Sequence, residues 1–264
     1  MRTILDELAD HARARVRADR AKEPLAELKR RCEQGDVPNR EPFAFEAALR
    51  KPGLSFLCEI KKASPSKGVL SPAFPYLKIA REYEAAGADC ISCLTEPKWF
   101  LGSDSIFAEI RAAVGIPMLR KDFTVDEYQI YQAKAMGADA VLLICALLEK
   151  QTIRKDLALC DRLGMSALVE AHDAAELEAA IDAGARVVGV NNRNLKDFSV
   201  DMCNSGRLKA LVPKGVLFVS ESGIQTAADV QVLRESGVDA VLIGEALMRA
   251  PDIGRTLNRF RGVV

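Results

Sequence analysis

The sequence lacks several features that mark whole classes of protein. It has no net charge, because 37 acidic residues balance 37 basic ones, so it has no general attraction for nucleic acid or for an anionic membrane. No segment approaches the roughly 20 apolar residues of a transmembrane helix, and the first residues, MRTILDELADHARARV, contain no apolar stretch of signal-peptide length. We therefore expect a cytoplasmic protein without nucleic-acid or membrane partners, whose anion binding is confined to a local site.

Side chains that bind metals or form disulfides are also few or poorly spaced. Only two histidines are present, His11 and His172, and they lie far apart in the sequence. The seven cysteines are irregularly spaced, and their one close pair, Cys90 and Cys93, falls in an apolar run. Zinc sites usually need two such pairs or histidine partners. We expect no metal ion, and we interpret the cysteines as small buried residues of a protein from a reducing compartment.

The first fifty residues predict helices. Apolar side chains recur at helical spacing from Ile4 to Val16, and Pro24 and Pro42 each open another such stretch, because proline is tolerated in a first helical turn. Four arginines lie within or just beyond the first stretch. Since acidic residues are interleaved with them, we interpret them as a solvated helix face rather than a nucleic-acid patch: Arg13, Arg15, Arg17 and Arg20.

From residue 54 onward, short apolar runs alternate with amphipathic runs of ten or more residues. Continuous apolar runs between helices are typical of parallel strands that are buried on both faces. The pattern predicts eight strands: Leu54–Ile60, Cys90–Leu94, Ile116–Leu119, Ala140–Ile144, Ser166–Val169, Val187–Val190, Val216–Val219 and Ala240–Ile243.

An internal repeat supports eight strands. The segments AAGADCISCLT, AMGADAVLLIC, DAGARVVGVNN and ESGVDAVLIGE align without gaps, and their glycines lie about fifty residues apart. Each glycine stands where a helix must end in a left-handed residue before the next strand. A period of two βα units that occurs four times predicts a closed barrel. The glycines are Gly87, Gly137, Gly184 and Gly237.

The predicted fold is therefore α/β, a (β/α)8 TIM barrel with an N-terminal helical extension. Such a barrel needs about 250 residues, so residues 1–264 form one domain in which residues 1–50 precede the first strand. An open doubly wound sheet is the alternative. A dinucleotide-binding sheet carries Gly-x-Gly-x-x-Gly after its first strand, and the sequence here is EIKKASPSKG.

Ionisable residues end all four odd-numbered predicted strands. Active sites of such barrels lie at the carboxyl ends of the strands, and alternate strands fill a common layer. Glu59 and Lys61, two residues apart, should face the same side, while Ile60 faces the helices. Convergent lysines and carboxylates suit acid–base chemistry, although salt bridges that close the barrel would give the same pattern. The other three ends are Arg120 to Asp122, Glu170, and Glu221 with Ser222.

The loops that follow the last two strands predict a phosphate site. SESGIQTAADV and GEALM place small residues where helices begin, and a helix N-terminus offers free N–H groups to an anion. Gly223 and Gly244 would allow close backbone approach, although plain turn chemistry would explain either loop alone. The long first loop, KKASPSKGVLSP, predicts a mobile cover over the site or else a solvated connector.

These motifs resemble the indole-3-glycerol-phosphate synthase family. The resemblance extends from about residue 3 to 260 and rests on EIKKASPSKG, LTEPKWFLGS, LRKDFTVDEYQIYQAKAMGADAVLLI, LVEAH, GVNNRNL, SESGI and VLIGEALM. It implies a carboxy-lyase (decarboxylase) of tryptophan biosynthesis, one of the aromatic amino acid pathways. The family closes the indole ring of 1-(2-carboxyphenylamino)-1-deoxy-D-ribulose 5-phosphate, with loss of CO2 and water. It implies no cofactor, no metal, and a small phosphorylated substrate as the only partner; we expect a monomer.

The resemblance also implies roles for individual residues. Lys121 would be the general acid on the substrate ketone, and Lys61, Glu59 and Glu170 would share the remaining acid and base steps in a division that stays open. Lys61 could also hold the substrate carboxylate. The other implied residues are Asn191 beside the reacting groups, Arg193 and Glu221 as polar support, Phe100 and Phe123 around the ring, and Ser222, Gly223, Gly244 and Glu245 at the phosphate.

One residue departs from the family pattern. Some members carry serine where this chain has Glu245. We expect only the backbone of Glu245 to touch the phosphate, with its carboxylate turned away. His172 lies two residues after Glu170 and could shuttle protons, but we interpret it as a polar loop residue.

Three other functions remain open at this point. A Schiff-base aldolase would use Lys121 on the same barrel, and an isomerase of the same pathway would need a Cys or Asp acid–base pair. A binding or scaffold protein without catalytic activity is the third alternative, and the occupied acid–base positions argue against it.

Overall fold

The computed structural model describes residues 3–194 and 197–263. Within these ranges, the barrel strands are β1 (Ser55–Ile60), β4 (Cys90–Leu94), β5 (Met118–Lys121), β6 (Ala140–Ile144), β7 (Ser166–Ala171), β8 (Val187–Asn191), β9 (Leu217–Glu221) and β10 (Ala240–Ile243). These eight parallel strands close into a barrel in the order β1-β10-β9-β8-β7-β6-β5-β4, which confirms the predicted TIM barrel. The short strands β2 (Ala63–Ser64) and β3 (Gly68–Val69) form an antiparallel hairpin in the first loop.

Helices surround the barrel and precede it. Three helices come before the first strand, as predicted: α1 (Ile4–Lys22), α2 (Leu25–Gln34) and α3 (Ala44–Leu49). The others are α4 (Tyr76–Ala85), α5 (Asp104–Ala113), α6 (Glu127–Ala135), α7 (Lys150–Arg162), α8 (Ala174–Ala183), α9 (Cys203–Lys209), α10 (Ala227–Glu235), α11 (Glu245–Met248) and α12 (Ile253–Arg261). None of the described helices is both long and apolar enough to span a membrane.

Several strands differ from their predicted bounds at the ends that matter for function. β5 begins two residues later than predicted, at Met118, and the preceding Pro117 has no N–H to donate to a neighbouring strand. β7 continues to Ala171 and β9 to Glu221, so Glu170 and Glu221 lie inside strands rather than after them. Ladder hydrogen bonds therefore fix the backbone of these residues.

The side chains of the strands divide into two buried layers. Leu57, Leu119, Leu142 and Leu168 fill the barrel interior, in the cluster that also contains Phe45 and Leu49 of α3. The alternate residues face the helices, and Ile60 is among them, as the period-two pattern predicts. The interior is therefore packed with side chains below the level of the carboxyl ends.

The N-terminal extension contacts both ends of the barrel. At the amino end, Phe45 of α3 is fully buried. At the carboxyl end, Arg15 of α1 forms two hydrogen bonds with Asp122, of 2.6 and 2.9 Å, and Arg20 pairs with Asp126 at 2.5 Å. The solvated-face interpretation is therefore wrong for Arg15 and Arg20, because these two arginines hold α1 against the barrel.

The repeat places an aspartate at the foot of three strands. The four repeat glycines have φ between 71° and 103°, which confirms their left-handed conformation. Two residues after three of these glycines stands an aspartate that accepts the N–H of the first or second residue of a neighbouring strand. The pairs are Phe56 with Asp89, Met118 with Asp139 and Phe218 with Asp239, at 2.9, 2.8 and 2.8 Å. In the remaining copy this position is Arg186, which pairs instead with Glu46 and Asp161.

The cysteines are all free thiols. Cys58, Cys90, Cys93 and Cys160 are buried, as expected, but Cys203 at the start of α9 is exposed. The interpretation as small buried residues is therefore wrong at Cys203.

Candidate active site

A cavity opens at the carboxyl ends of the strands. Its wall includes every residue that the sequence singled out for catalysis or binding: Glu59, Lys61, Phe100, Lys121, Phe123, Glu170, Asn191, Arg193, Glu221, Ser222, Gly223, Gly244 and Glu245. Residues separated by more than a hundred positions therefore meet in one place, as the strand-end pattern predicts.

Lys121 stands between two buried carboxylates. Its Nζ lies 3.4 Å from Oε2 of Glu170 and 3.3 Å from Oε2 of Glu221. These groups come from β5, β7 and β9, the third, fifth and seventh strands of the barrel. The carboxylates of Glu170 and Glu221 are only 3% and 2% exposed, so little water screens the three charges from one another.

The three groups shift one another's pKa. Burial lowers the pKa of Lys121, but the carboxylates of Glu221, Glu170 and Glu59 outweigh it and raise this pKa above its ordinary value. Burial tends to raise the pKa of Glu170, yet Lys121 and His172 bring it below its ordinary value. Burial raises the pKa of Glu221 to about 7, with help from Glu170 and Glu59 and despite Lys121. At neutral pH the site therefore holds an ammonium and an ionised carboxylate beside a carboxyl that is poised to titrate.

A second ion pair lines the same cavity. Nζ of Lys61 is 2.5 Å from Oε2 of Glu59, which confirms that these two side chains face the same way. A Cβ at residue 244 would overlap Oε2 of Glu59, and one at residue 189 would overlap Oε1 of Glu221. Gly244 and Gly189 thus make room for two carboxylates. Sequence reasoning missed Gly189, although it stands in the motif GVNNRNL.

Asn191 and Arg193 connect the carboxylates to the rim. Nδ2 of Asn191 donates to Oε1 of Glu170 at 3.1 Å, and Oδ1 of Asn191 accepts from the backbone N–H of Arg193 at 3.0 Å. The guanidinium of Arg193 donates to the carbonyl oxygen of Phe198 at 3.2 Å. Asn191 therefore fixes one oxygen of Glu170 and the turn that presents Arg193.

An apolar slot forms one wall of the cavity. The rings of Phe100 and Phe123 lie 6.0 Å apart at 40°. Ile4 and Leu8 of α1 also line this cavity, and sequence reasoning missed them as site residues, although their helical spacing marked the apolar face of α1. A flat aromatic ring would lie against these side chains.

A buried glutamate shapes the loop that carries Phe100. Glu96 is completely buried and accepts the N–H groups of Trp99 and Phe100 at 2.7 and 3.1 Å. His11 of α1 approaches the other oxygen of Glu96 at 2.9 Å. Glu96 lies in the motif LTEPKWFLGS, but sequence reasoning gave it no role. It holds the aromatic slot and the N-terminal helix together.

The predicted phosphate corner differs from expectation in its local structure. Ser222 and Gly223 are both left-handed, with φ of 67° and 88°, but α10 begins only at Ala227, with Thr226 as its N-cap. These two residues therefore lie in a loop before the helix. After the last strand, by contrast, Gly244 is the N-cap of α11, which begins at Glu245.

The Glu245 carboxylate faces cations of the same corner. It lies 3.6 Å from Nζ of Lys67 and 3.8 Å from the guanidinium of Arg193, and Arg249 approaches it at 3.5 Å. Lys67 belongs to the first loop, whose residues Ser64 to Ser66 also line the cavity. The side chain of Glu245 thus joins that loop to the barrel, whereas we expected its carboxylate to be turned away from this corner.

Comparison with known proteins identifies the family. The profile of the family described as "Indole-3-glycerol phosphate synthase" matches residues 5–260. The indole-3-glycerol phosphate synthase of Ruminiclostridium cellulolyticum is 54% identical over 98% of this chain and 99% of its own length. The protein of the same name from Endomicrobium trichonymphae is 47% identical, with the same coverage of both chains.

The chain belongs to the indole-3-glycerol phosphate synthase family. This confirms the family that the motifs predicted, and with it the class of carboxy-lyases of tryptophan biosynthesis. Among solved structures, the thiamine phosphate pyrophosphorylase from Pyrococcus furiosus matches with a TM-score of 0.61 and 17% identity, covering 80% of this chain and 95% of that one. At this identity the likeness shows the shared barrel fold alone.

Proposed function

We propose that this member of the indole-3-glycerol phosphate synthase family closes the indole ring of 1-(2-carboxyphenylamino)-1-deoxy-D-ribulose 5-phosphate, with loss of CO2 and water. The observation that carries the proposal is the position of Lys121, between Glu170 and Glu221 in the cavity. The apolar slot suits the aromatic ring of the substrate, and the corner with Lys67 and Arg193 suits its phosphate.

Lys121 is the general acid of ring closure. The surrounding carboxylates raise its pKa, so it is protonated at neutral pH and can donate to the ketone oxygen of the substrate. Protonation makes the ketone carbon electrophilic, and the ring carbon that bears the carboxylate attacks it. The new carbon–carbon bond is complete when the ketone oxygen has become a hydroxyl group.

Decarboxylation and dehydration of the ring-closed intermediate follow. CO2 leaves with cleavage of its bond to the ring, and the electron pair of that bond restores the aromatic ring. Glu170, whose pKa is lowered below its ordinary value by Lys121 and His172 in spite of burial, is the base that removes a proton from the methylene carbon beside the nitrogen. Lys61, paired with Glu59, protonates the departing hydroxyl, and Asn191 orients Glu170.

The remaining site residues bind the substrate. Phe100 and Phe123 contact its ring. Arg193 and Glu221 support the polar groups between ring and phosphate, and Arg193, together with Lys67, also meets the phosphate itself. The phosphate meets the backbone of residues that lie in the two loops after the last strands, Ser222, Gly223, Gly244 and Glu245. Left-handed backbone at residues 222 and 223 supports close approach of an anion to that loop.

The test is a fluorescence assay with the anilino-deoxyribulose phosphate substrate. Formation of indole-3-glycerol phosphate gives indole fluorescence, and folded protein that produces none would overturn the proposal. Borohydride added with substrate distinguishes this function from that of a Schiff-base aldolase. A trapped covalent adduct would favour the aldolase, because a Schiff base requires an unprotonated lysine amine. The raised pKa of Lys121, in spite of its burial, favours the acid over the Schiff base.

We also propose that the chain acts in the cytoplasm as a monomer on a freely diffusing substrate. Light scattering after gel filtration tests the oligomeric part of this proposal. A mass near 28.8 kDa is expected, and a mass of twice that value at micromolar concentration would contradict it.

A further inference from the structure

His172 lies behind the catalytic cavity and contacts the outer side of Glu170. Its Nε2 is 3.5 Å from Oε1 of Glu170, and its Nδ1 is 3.0 Å from Oε2 of Glu176 on α8. The same Oε2 accepts a hydrogen bond from the backbone N–H of His172 at 2.8 Å. The side chain of Asn204 donates to the backbone carbonyl oxygen of His172 at 3.1 Å. Glu176 therefore fixes the imidazole at Nδ1, while Glu176 and Asn204 fix the backbone of His172.

The free nitrogen of this ring faces the carboxylate. Nε2 is buried and makes no hydrogen bond with any residue in the two described ranges. Because Glu176 accepts at Nδ1, the hydrogen at that nitrogen is fixed, and Nε2 is left to face Glu170. A carboxylate that orients an imidazole in this way commonly directs its second nitrogen to a functional group.

The two oxygens of Glu170 have different neighbours. Oε1 receives the amide of Asn191 at 3.1 Å and faces His172. Oε2 faces Lys121 at 3.4 Å, on the side where Lys121 and Glu221 line the cavity. Oε1 of Glu170 is thus held by Asn191 and His172, while Oε2 faces the cavity.

We propose that His172 is a positioning residue for Glu170: the imidazolium, oriented by Glu176, binds Oε1 and leaves Oε2 as the oxygen that takes the substrate proton. This proposal rests on the assignment of Glu170 as the base in the proposed function. The positive ring keeps Glu170 ionised in a water-poor site and stops its carboxylate from rotating. His172 itself does not touch the substrate.

A second, polar cavity is lined in part by His172, whose side chain is 19% exposed. Asn191 and His172 line this cavity, so solvent can exchange protons with the ring while substrate fills the main cavity. Besides Glu170 and Glu176, the ionisable groups around the ring are Glu221 of β9 and, on the wall of the second cavity, Asp173, Arg193, Asp201 and Arg207. Although burial opposes it, Glu176 and Glu170 raise the pKa of His172, which favours the charged ring.

The experiment measures kcat/KM against pH for the wild-type chain, His172→Gln and the control Arg207→Gln. Loss of the imidazolium removes a cation beside Glu170, so the pKa of Glu170 rises and the acidic limb of the profile moves up by about one pH unit. One unit below the wild-type midpoint, the rate of His172→Gln should fall about tenfold further, while its plateau stays close to wild type. Arg207 lies on the same cavity wall but pairs with Asp201 at 2.7 Å, so its variant should keep the wild-type profile.

A cavity-forming variant provides a second readout that does not depend on glutamine geometry. Imidazole added to His172→Ala can enter the second cavity and should return the acidic limb toward its wild-type position. Circular dichroism establishes that each variant is folded, and His172→Asn replaces any variant that is not. Glu176→Gln, which loosens the ring without removing it, should shift the limb in the same direction by a smaller amount.

Two results would overturn the inference while leaving the proposed function intact. One is a His172→Gln profile that superimposes on the wild-type profile. The other is a uniform loss of rate at every pH without movement of the limb, which indicates a structural role only. Wild-type protein that forms no indole product would contradict the proposed function instead, so the two failures are distinguishable.

Discussion

The two ends of the barrel use buried charge in opposite ways. At the amino end, Asp139 accepts from Arg40, Arg111 and the N–H of Met118, at 2.9, 3.0 and 2.8 Å, so its charge is fully partnered. In the cavity at the carboxyl end, the carboxylates of Glu59, Glu170 and Glu221 share only two lysines, Lys61 and Lys121. Oε1 of Glu221 has no hydrogen-bond partner among the residues that the structure describes.

This difference separates stability from chemistry. The repeat motif supplies aspartates that satisfy strand N–H groups at one end, and such partnered charges hold the fold. At the other end, burial contributes most to the raised pKa of Glu221, and the neighbouring carboxylates raise it further. The carboxylates around Lys121 raise its pKa as well, although burial opposes them. An unbalanced cluster costs stability, and it prepares groups for proton transfer at neutral pH.

The largest effect should come from Lys121→Ala at the carboxyl end. Loss of the general acid should lower kcat by roughly 10²- to 10⁴-fold, while affinity for inorganic phosphate stays largely intact. The matched control is Lys51→Ala, which removes a lysine that pairs with Asp89 at the amino end and should leave kcat unchanged. Steady-state kinetics and phosphate inhibition measure both. An unchanged kcat in Lys121→Ala would remove this lysine from the acid role.

Asp139→Ala should give the reverse result. It leaves Arg111, whose side chain is only 7% exposed, without its carboxylate, and such a loss typically costs about 3–5 kcal/mol of folding stability. Chemical denaturation measures the loss, and kcat of the folded fraction should stay near the wild-type value. A variant with wild-type stability but a low kcat would break the distinction between the two ends.

Glu221→Gln should stabilise the fold and impair activity. Burial and neighbouring carboxylates raise the pKa of this carboxyl from 4.5 to about 7, so the stability that it contributes below pH 4.5 is lost as pH rises toward 7. Glutamine removes that loss. We expect a gain of roughly 1 kcal/mol or more at pH 8, about 2–4 °C in Tm, and little gain at pH 5. Equal changes in Tm at the two pH values would contradict the raised pKa.

Glu245→Ser should have the smallest effect of these variants, and it should strengthen substrate binding rather than impair activity. Its carboxylate faces Lys67 and Arg193, the cations proposed to meet the phosphate, so its removal frees them for the substrate. KM should fall roughly two- to fivefold, and the difference should shrink at high salt because ions screen exposed charges. Glu245→Gln is the matched control that keeps the size of the side chain. A KM that rises in both variants would indicate that Glu245 holds the loop rather than competes with phosphate.

Much of the fold and the site could be predicted because the chain repeats one βα unit along its length. The period of apolar runs predicted eight strands, and the odd strand ends predicted that Glu59, Lys121, Glu170 and Glu221 share a layer. These inferences need only local spacing, since a closed parallel barrel brings all carboxyl ends together. The family resemblance then supplied the binding residues between them.

The remainder depends on contacts that no local pattern encodes. Arg15 looked solvated because a helix face with mixed charges is usually exposed, yet it pairs with Asp122, more than a hundred residues away. His172 does lie in the loop between β7 and α8, as interpreted from the sequence. Its contacts with Glu170 and Glu176 could not be predicted, because they depend on where Glu176 of the next helix points. Gly189 makes room for a side chain of the adjacent strand, a requirement that only the strand register reveals.

The most direct test of the account is to measure CO2 and indole product together, from substrate labelled at its carboxyl carbon. Wild-type protein should release one CO2 for each indole formed. Because ring closure precedes decarboxylation in the proposed reaction, Lys121→Ala should lose CO2 release and indole formation in parallel. Release of CO2 without indole, or equal turnover by the Lys121 variant, would show that the charge cluster at the carboxyl end does not perform this reaction.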